Sequence, residues 1–166
     1  QSNPERIPGI LTHELTHLYL KQHIGIFKVG KLPTWYNEGI ATLVSDGGGA
    51  EKVTEAEAIQ AINSGHKFTP NEQGSILFPK AANAFGLNPY MFYRQSMLFM
   101  SYLKNKDSNK FMAFLDLIRR GEPFSRSFNK TFNSTVGETW ETFLTELKAE
   151  ANHIIKRTEY AAVVHE

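Results

Sequence analysis

The sequence predicts a mainly α-helical protein, and two observations support that prediction. Apolar residues recur at intervals of three and four over residues 7–22 and again after residue 88, which is the spacing of one face of a helix. Runs typical of strands are limited to residues 67–69 and 75–78, and both are short. We therefore expect packed helices with little or no sheet in this chain.

Three helices are predicted in the first half of the chain, separated by glycine and proline. The first covers residues 7–22, and the second begins near Trp35 and ends at the loop of residues 46–49. Thr54 and Glu57 have the spacing of a capping box, which opens the third helix. The residues that follow this helix contain several glycines and prolines and predict loop.

The second half begins with the strongest helix start in the sequence. Asn88 is a good cap residue, and Pro89 suits the first helical position. The helix that they open is apolar on almost every side, which indicates a central, buried element. Three more helices are predicted: one over residues 108–120, one with Phe124, Phe128 and Phe132 at four-residue spacing, and a last one opened by a capping box of Thr135 and Glu138.

The composition limits the classes of function. The chain has 166 residues, is 41% hydrophobic and carries a net charge of +1, so it is globular and gives no electrostatic reason to expect a nucleic-acid partner. It contains no cysteine, which excludes disulfides and cysteine-ligated zinc. No apolar run approaches the length of a membrane span, and the sequence shows no signal-peptide pattern.

Residues 13–17 read His-Glu-Leu-Thr-His on the first predicted helix. Residues four apart on an α-helix differ by about 40° in direction, so His13 and His17 project side by side, one turn apart. Two imidazoles in this arrangement can bind one metal ion. Glu14 follows His13 by one residue, about 100° further round the helix, where we expect its carboxylate to reach a water at the ion without binding the metal.

A third ligand is available in the second predicted helix. Catalytic zinc sites commonly combine two histidines and a glutamate with a water in the fourth position. Glu38 lies 21 residues after His17 on a separate short helix, and the intervening glycines and proline can turn the chain back. We expect Zn²⁺ at His13, His17 and Glu38, with Glu14 accepting the proton of a water whose pKa the ion lowers to about 7.

With these motifs in place, the chain resembles the gluzincin metallopeptidases, in particular their peptidase MA-like domains. The resemblance is strongest in Thr-His-Glu-Leu-Thr-His at residues 12–17 and in Leu-Pro-Thr-Trp-Tyr-Asn-Glu-Gly-Ile-Ala at residues 32–41. It is weaker over residues 93–103, over residues 121–132 and at Trp140. It implies a zincin-like fold and zinc-dependent hydrolysis of peptide bonds, with a peptide or protein as substrate.

The resemblance also implies a tyrosine that stabilises the tetrahedral intermediate through its hydroxyl. Tyr93 falls at the matching position, and a buried structural tyrosine is the competing interpretation. Tyr90 and Tyr36 are alternatives for the same role.

Two departures from the family pattern affect what the resemblance implies. Gluzincins place a β-sheet before the metal-binding helix, and its edge strand pairs with the substrate, but only twelve residues precede His13. Thermolysin-like members carry an aspartate four residues after the ligand glutamate, where this chain has Thr42. Asp46 is a candidate to support a histidine instead.

The resemblance gives a domain organisation. We expect one peptidase MA-like domain over residues 1–166, forming the C-terminal part of a larger protein. Residues 1–50 would provide the metal-site helices, residues 51–87 a connecting helix and loops, and residues 88–166 a helical subdomain. The family favours an extracytoplasmic or secreted location.

Two other functions fit the same residues. A zincin-like domain that binds a peptide or protein partner without cleaving it would keep the metal ligands, although it would not need the base Glu14. A helical interaction module without metal would leave the histidines as solvated surface residues. Zinc content separates the last hypothesis from the first two.

Overall fold

The computed structural model describes residues 4–164, and these residues form eight α-helices and no strand. The mainly α class predicted from the sequence is therefore confirmed. The helices are α1 (Ile7–Ile24), α2 (Ile26–Val29), α3 (Thr34–Val44), α4 (Glu55–Asn63), α5 (Pro89–Lys106), α6 (Ser108–Arg119), α7 (Phe124–Phe132) and α8 (Val136–Val164), with 3₁₀ turns at Pro4–Arg6 and Ala82–Phe85.

The predicted helix starts are present in the structure. The Thr54 hydroxyl accepts a hydrogen bond from the Glu57 amide, and the Glu57 carboxylate accepts from the Thr54 amide, so the capping box opens α4. The Asn88 side chain accepts from the amide of Met91 at the start of α5. These bonds satisfy backbone donors that the first turn of a helix leaves free.

Both strand-like runs lie in loops. The backbone amide of Phe68 donates to the side chain of the buried Gln95 on α5, and the Gln95 amide donates to the His66 carbonyl. A side chain thus provides the hydrogen bonds that a neighbouring strand would provide. Ile76, Leu77 and Phe78, in the second run, are largely exposed, and no strand in the described residues lies beside them.

The core is built around α5, as its apolar sequence predicts. α3 crosses α5 closely at Gly39, where an added Cβ would lie 2.8 Å from the Met100 side chain and 2.9 Å from the Ser96 carbonyl. Only glycine permits this approach, and it fixes the position of the neighbouring Glu38. Aromatic rings fill the space between α5 and the other helices: Trp35, Phe68, Phe92, Phe99, Phe114, Phe128, Trp140 and Phe143.

The apolar face of α1 does not point into the core. Its buried residues are His13, Leu20 and Ile24. The large apolar side chains from which the helix was predicted are between 44% and 56% exposed: Ile7, Ile10, Leu11, Leu15, Leu18 and Tyr19. The predicted helix is therefore present, but its buried face is the one that carries the histidines.

No helix within residues 4–164 combines the length and the apolar character that crossing a membrane requires.

Candidate metal centre

His13 and His17 face the same space from successive turns of α1. Their Nε2 atoms are 3.1 Å apart, and the two rings meet edge to face with centroids 4.8 Å apart. His13 is buried, with 3% of its surface exposed, and His17 is partly buried. Since His13 and His17 are four residues apart, the regular geometry of α1 alone sets this pairing.

Glu38 joins the two histidines from α3. Its Oε2 atom lies 3.3 Å from Nε2 of His13 and 3.4 Å from Nε2 of His17. The three donor atoms thus form a nearly equilateral triangle. Donors about 2.0–2.2 Å from one tetrahedral ion are themselves about 3.3 Å apart, so the group has the spacing that zinc requires.

The hydrogen bonding of the group also fits a cation. At 3.3–3.4 Å the contacts of Glu38 are ion-pair distances, and Oε2 is a buried acceptor that no well-formed hydrogen bond satisfies. A carboxylate buried without a donor is costly, and a bound cation would compensate it. Two imidazole nitrogens and one carboxylate oxygen are donors that suit zinc.

At both Glu38 and His13, burial and the neighbouring charged groups shift the pKa in opposite directions. Burial disfavours the charged form of Glu38, but the adjacent His13 and His17 outweigh burial and lower the pKa of Glu38 to about 2. Burial also disfavours the charged form of His13 and so lowers its pKa. The Glu38 carboxylate outweighs this effect and raises the pKa of His13 above its usual value. Glu38 is therefore ionised at neutral pH and holds a negative charge toward the two rings.

Thr42 contacts the His13 ring at Nδ1, on the side away from Nε2. It lies one turn after Glu38 on α3, is fully buried, and places Oγ1 3.5 Å from Nδ1 of His13. Asp46, the residue that the sequence offered for this role, is exposed and makes no hydrogen bond or ion pair with His13 or His17. Thr42 thus contacts the histidine through its hydroxyl.

Glu14, the predicted general base, is exposed, and its side chain forms no hydrogen bond or ion pair with any other described residue. Its negative charge contributes to raising the pKa values of His13 and Tyr93, so its carboxylate acts on the same region. A carboxylate near the metal-binding group and free of protein partners is available to a water molecule.

Of the three candidate tyrosines, Tyr93 contacts the group directly. Its ring centroid is 5.6 Å from that of His13, and burial, followed by the charges of Glu38 and Glu14, raises the pKa of its half-buried hydroxyl. Tyr90 lies nearly one turn earlier on α5 with the Lys52 ammonium 4.8 Å from its ring centroid.

Tyr36, the third candidate, is part of the core. It is 1% exposed, its ring packs against Phe114 and Phe124, and its pKa is raised by burial alone, without a contribution from Glu14 or Glu38. Tyr36 is therefore not placed to act on a substrate at this centre.

An apolar groove of about 600 Å³ between α1, α3 and α6 contains none of the metal-binding residues. Its lining from α3 consists of Tyr36, Ile40 and Val44, whereas Glu38 and Thr42 face His13. The groove is thus separate from the metal centre, and the geometry of the donor atoms rather than groove volume identifies the candidate site.

Comparison of the chain with known proteins finds no matching protein family, no matching curated protein and no matching solved structure.

Proposed function

We propose that this protein is a zinc-dependent metallopeptidase of the gluzincin type, with a zincin-like arrangement of α1 and α3. The observation that supports this most strongly is the triangle of His13 Nε2, His17 Nε2 and Glu38 Oε2, with sides of 3.1–3.4 Å. An exposed, unpaired Glu14 beside that triangle separates the proposal from a purely structural metal site, which would need no free carboxylate.

The three donors would hold the ion, and a zinc ion supplies Lewis acidity, which polarises a carbonyl and acidifies water. Glu14 accepts the proton of the attacking water at a carboxylate oxygen and then donates it to the departing amine nitrogen, so the residue ends each cycle ionised. Its exposure gives both water and peptide access to the carboxylate.

Tyr93 would donate a hydrogen bond to the carbonyl oxygen of the scissile peptide as negative charge develops there. Because burial and two nearby carboxylates raise its pKa, the hydroxyl keeps its proton at neutral pH and remains a donor. Thr42 holds the His13 ring from the opposite edge, so the imidazole keeps its orientation during turnover.

Zinc content and reversible chelation test this proposal. We expect one zinc per chain by elemental analysis, peptide hydrolysis that stops on adding a zinc chelator, and recovery of hydrolysis when zinc is returned. A zinc-loaded protein that cleaves no member of a broad peptide library would support a partner-binding domain instead. A protein that binds no zinc would support the helical interaction module.

A further inference from the structure

The buried edge of the His13 ring is covered by the glycine-rich loop that follows α3. This glycine loop, residues 46–50, connects the end of α3 to the segment before α4. Gly49 lies directly against the ring, because a Cβ there would be 2.9 Å from both Cε1 and Nδ1 of His13. Real Cβ atoms do not approach ring atoms so closely, so a side chain at Gly49 would have to displace the imidazole.

The same loop is fixed to the helix that carries His13. A Cβ at Gly48 would lie 2.2 Å from the carbonyl oxygen of Gly9. Gly9 precedes His13 by four residues, so the two lie on one face of α1. The glycine loop therefore runs along that face and contacts both the backbone and the metal-binding side chain.

Arg94 on α5 holds the loop from its other side. Its Nε donates to the carbonyl of Val53 at 2.8 Å, and its Nη2 donates to the carbonyl of Ala50 at 3.2 Å. The guanidinium also packs on Gly47, where a Cβ would be 2.9 Å from Nη1. The guanidinium thus binds the Ala50 carbonyl inside the loop and the Val53 carbonyl just after it, and it covers Gly47, so it fixes the loop more completely than a single hydrogen bond would.

We propose that Arg94 is a positioning residue for metal binding: it fixes the glycine loop, and the loop holds the His13 imidazole with Nε2 directed at the ion. This inference rests on the proposed function, since it concerns the same metal centre. It adds a residue outside the three proposed metal ligands.

The first test compares two substitutions of neighbouring residues on α5. Gln95 is the matched control for Arg94, because it also holds a loop through two backbone hydrogen bonds, at His66 and Phe68, away from the metal centre. Zinc affinity is measured by competition with a chromophoric chelator at a temperature where circular dichroism shows each variant folded. We expect Arg94→Met to bind zinc about 10–100-fold more weakly than wild type, and Gln95→Met to keep wild-type affinity.

The second test separates contact with His13 from backbone strain. Gly49 and Gly65 both have left-handed backbone angles, with φ of +83° and +91°, but a Cβ at Gly65 would meet nothing within 4 Å. Gly49→Ala and Gly65→Ala therefore strain the backbone in the same way, and only Gly49→Ala pushes on the imidazole. We expect a loss of zinc affinity of at least about tenfold in Gly49→Ala alone.

A third measurement needs no metal. In the zinc-free protein we expect a nuclear Overhauser effect between the Gly49 α-protons and the His13 ring proton on Cε1. This signal should persist in Gln95→Met and disappear in Arg94→Met. If wild type binds no zinc but this pattern holds, the proposed function fails, and what stands is that Arg94 orients the His13 imidazole through the glycine loop.

Equal zinc affinities for Gly49→Ala and Gly65→Ala would overturn the proposal. So would an Arg94→Met protein that keeps both the wild-type affinity and the signal between Gly49 and His13. If Arg94→Met does not fold, the pair of glycine variants decides the question.

Discussion

Two carboxylates at the candidate metal centre differ in environment, and under the proposed function that difference gives them different roles. Glu38 has 17% of its side chain exposed and lies within 3.4 Å of both histidines, whereas Glu14 is exposed and unpaired. A buried, paired carboxylate suits a ligand, and a free one suits a proton acceptor. The same substitution at the two positions should therefore have different consequences.

We predict that Glu14→Gln lowers the turnover of peptide hydrolysis by about 10²–10⁴-fold and leaves zinc bound. The amide has nearly the shape of the carboxylate but cannot accept a proton. Steady-state kinetics and zinc analysis on the same sample check this. Glu38→Gln is the matched control, and there we expect loss of zinc itself because a charged ligand is removed. Undiminished turnover in a zinc-loaded Glu14→Gln protein would exclude Glu14 as the base.

Tyr93→Phe should reduce kcat by about 10²-fold with little change in zinc affinity, because the lost hydrogen bond forms chiefly in the transition state. Tyr90→Phe is the control, since Tyr90 lies on the same helix but makes no ring contact with His13. Peptide kinetics on both variants decide the assignment. Equal effects at the two positions would mean that the hydroxyl of Tyr93 has no special role.

The raised pKa of His13 predicts how the stability of the zinc-free protein depends on pH. A group whose pKa is higher in the folded state stabilises the fold below its unfolded value, near 6.5, and this contribution is lost as pH rises through the folded pKa. We therefore expect the melting temperature of the zinc-free protein to fall as pH rises above about 6.5.

The matched control for this pH dependence is His13→Gln, in which the fall attributable to His13 should be absent. His23→Gln should retain it, because His23 is exposed and lies away from Glu38, bonding the Tyr19 carbonyl. Thermal unfolding across the pH range measures all three proteins. An unchanged pH profile in His13→Gln would show that another group is responsible.

At the scale of a single element, α1 has two unlike faces. One buries His13, Leu20 and Ile24, and the other exposes a stripe of large apolar side chains. Leu20 is 9% exposed and Leu11 is 56% exposed, so they form a matched pair on one helix. The contrast tests whether the face that the structure leaves open is also open in solution.

Leu20→Ala should lower the free energy of unfolding by about 2–5 kcal/mol, because it removes methyl groups from the core and leaves a cavity. Leu11→Ala should change it by no more than about 0.5 kcal/mol, as is usual for an exposed position. Urea denaturation of both variants, with unchanged m-values, checks this. A large loss at Leu11 would mean that its face of α1 is buried in solution.

For the whole molecule, the aromatic core and the candidate metal centre are separate groups of side chains. Rings from α5, α8 and the loop after α4 pack at short range away from the candidate metal centre: the ring centroid of Trp140 lies 4.9 Å from that of Phe99 and 4.6 Å from that of Phe68. None of these contacts involves a metal-binding residue. The fold is therefore expected to survive removal of the ion, unlike that of a zinc finger.

Chelation should lower the melting temperature without unfolding the protein at 25 °C. Zinc at 1,000 times its dissociation constant stabilises a fold by about 4 kcal/mol, which corresponds to roughly 10 °C for a chain of this size. Circular dichroism with and without chelator measures both quantities. Loss of the helical signal at 25 °C on adding chelator would contradict this independence of core and metal.

The sequence by itself determined the features that depend on neighbours within four residues. The pairing of His13 with His17 follows from one turn of helix, and the capping boxes at Thr54 and Thr135 close through bonds to residues three positions later. Such interactions form wherever the local chain is helical, so spacing suffices to predict them.

Tertiary structure decided what depends on distant packing. Helical spacing could not show which face of α1 is buried, because its exposed residues are the more apolar ones. Nor could it show that Tyr93 rather than Tyr36 contacts His13, or that Thr42, 29 residues from His13, lies at its Nδ1 atom. Those contacts follow from how α1, α3 and α5 cross, and the crossing is set by the fit of side chains across helices rather than by the local sequence of any one of them.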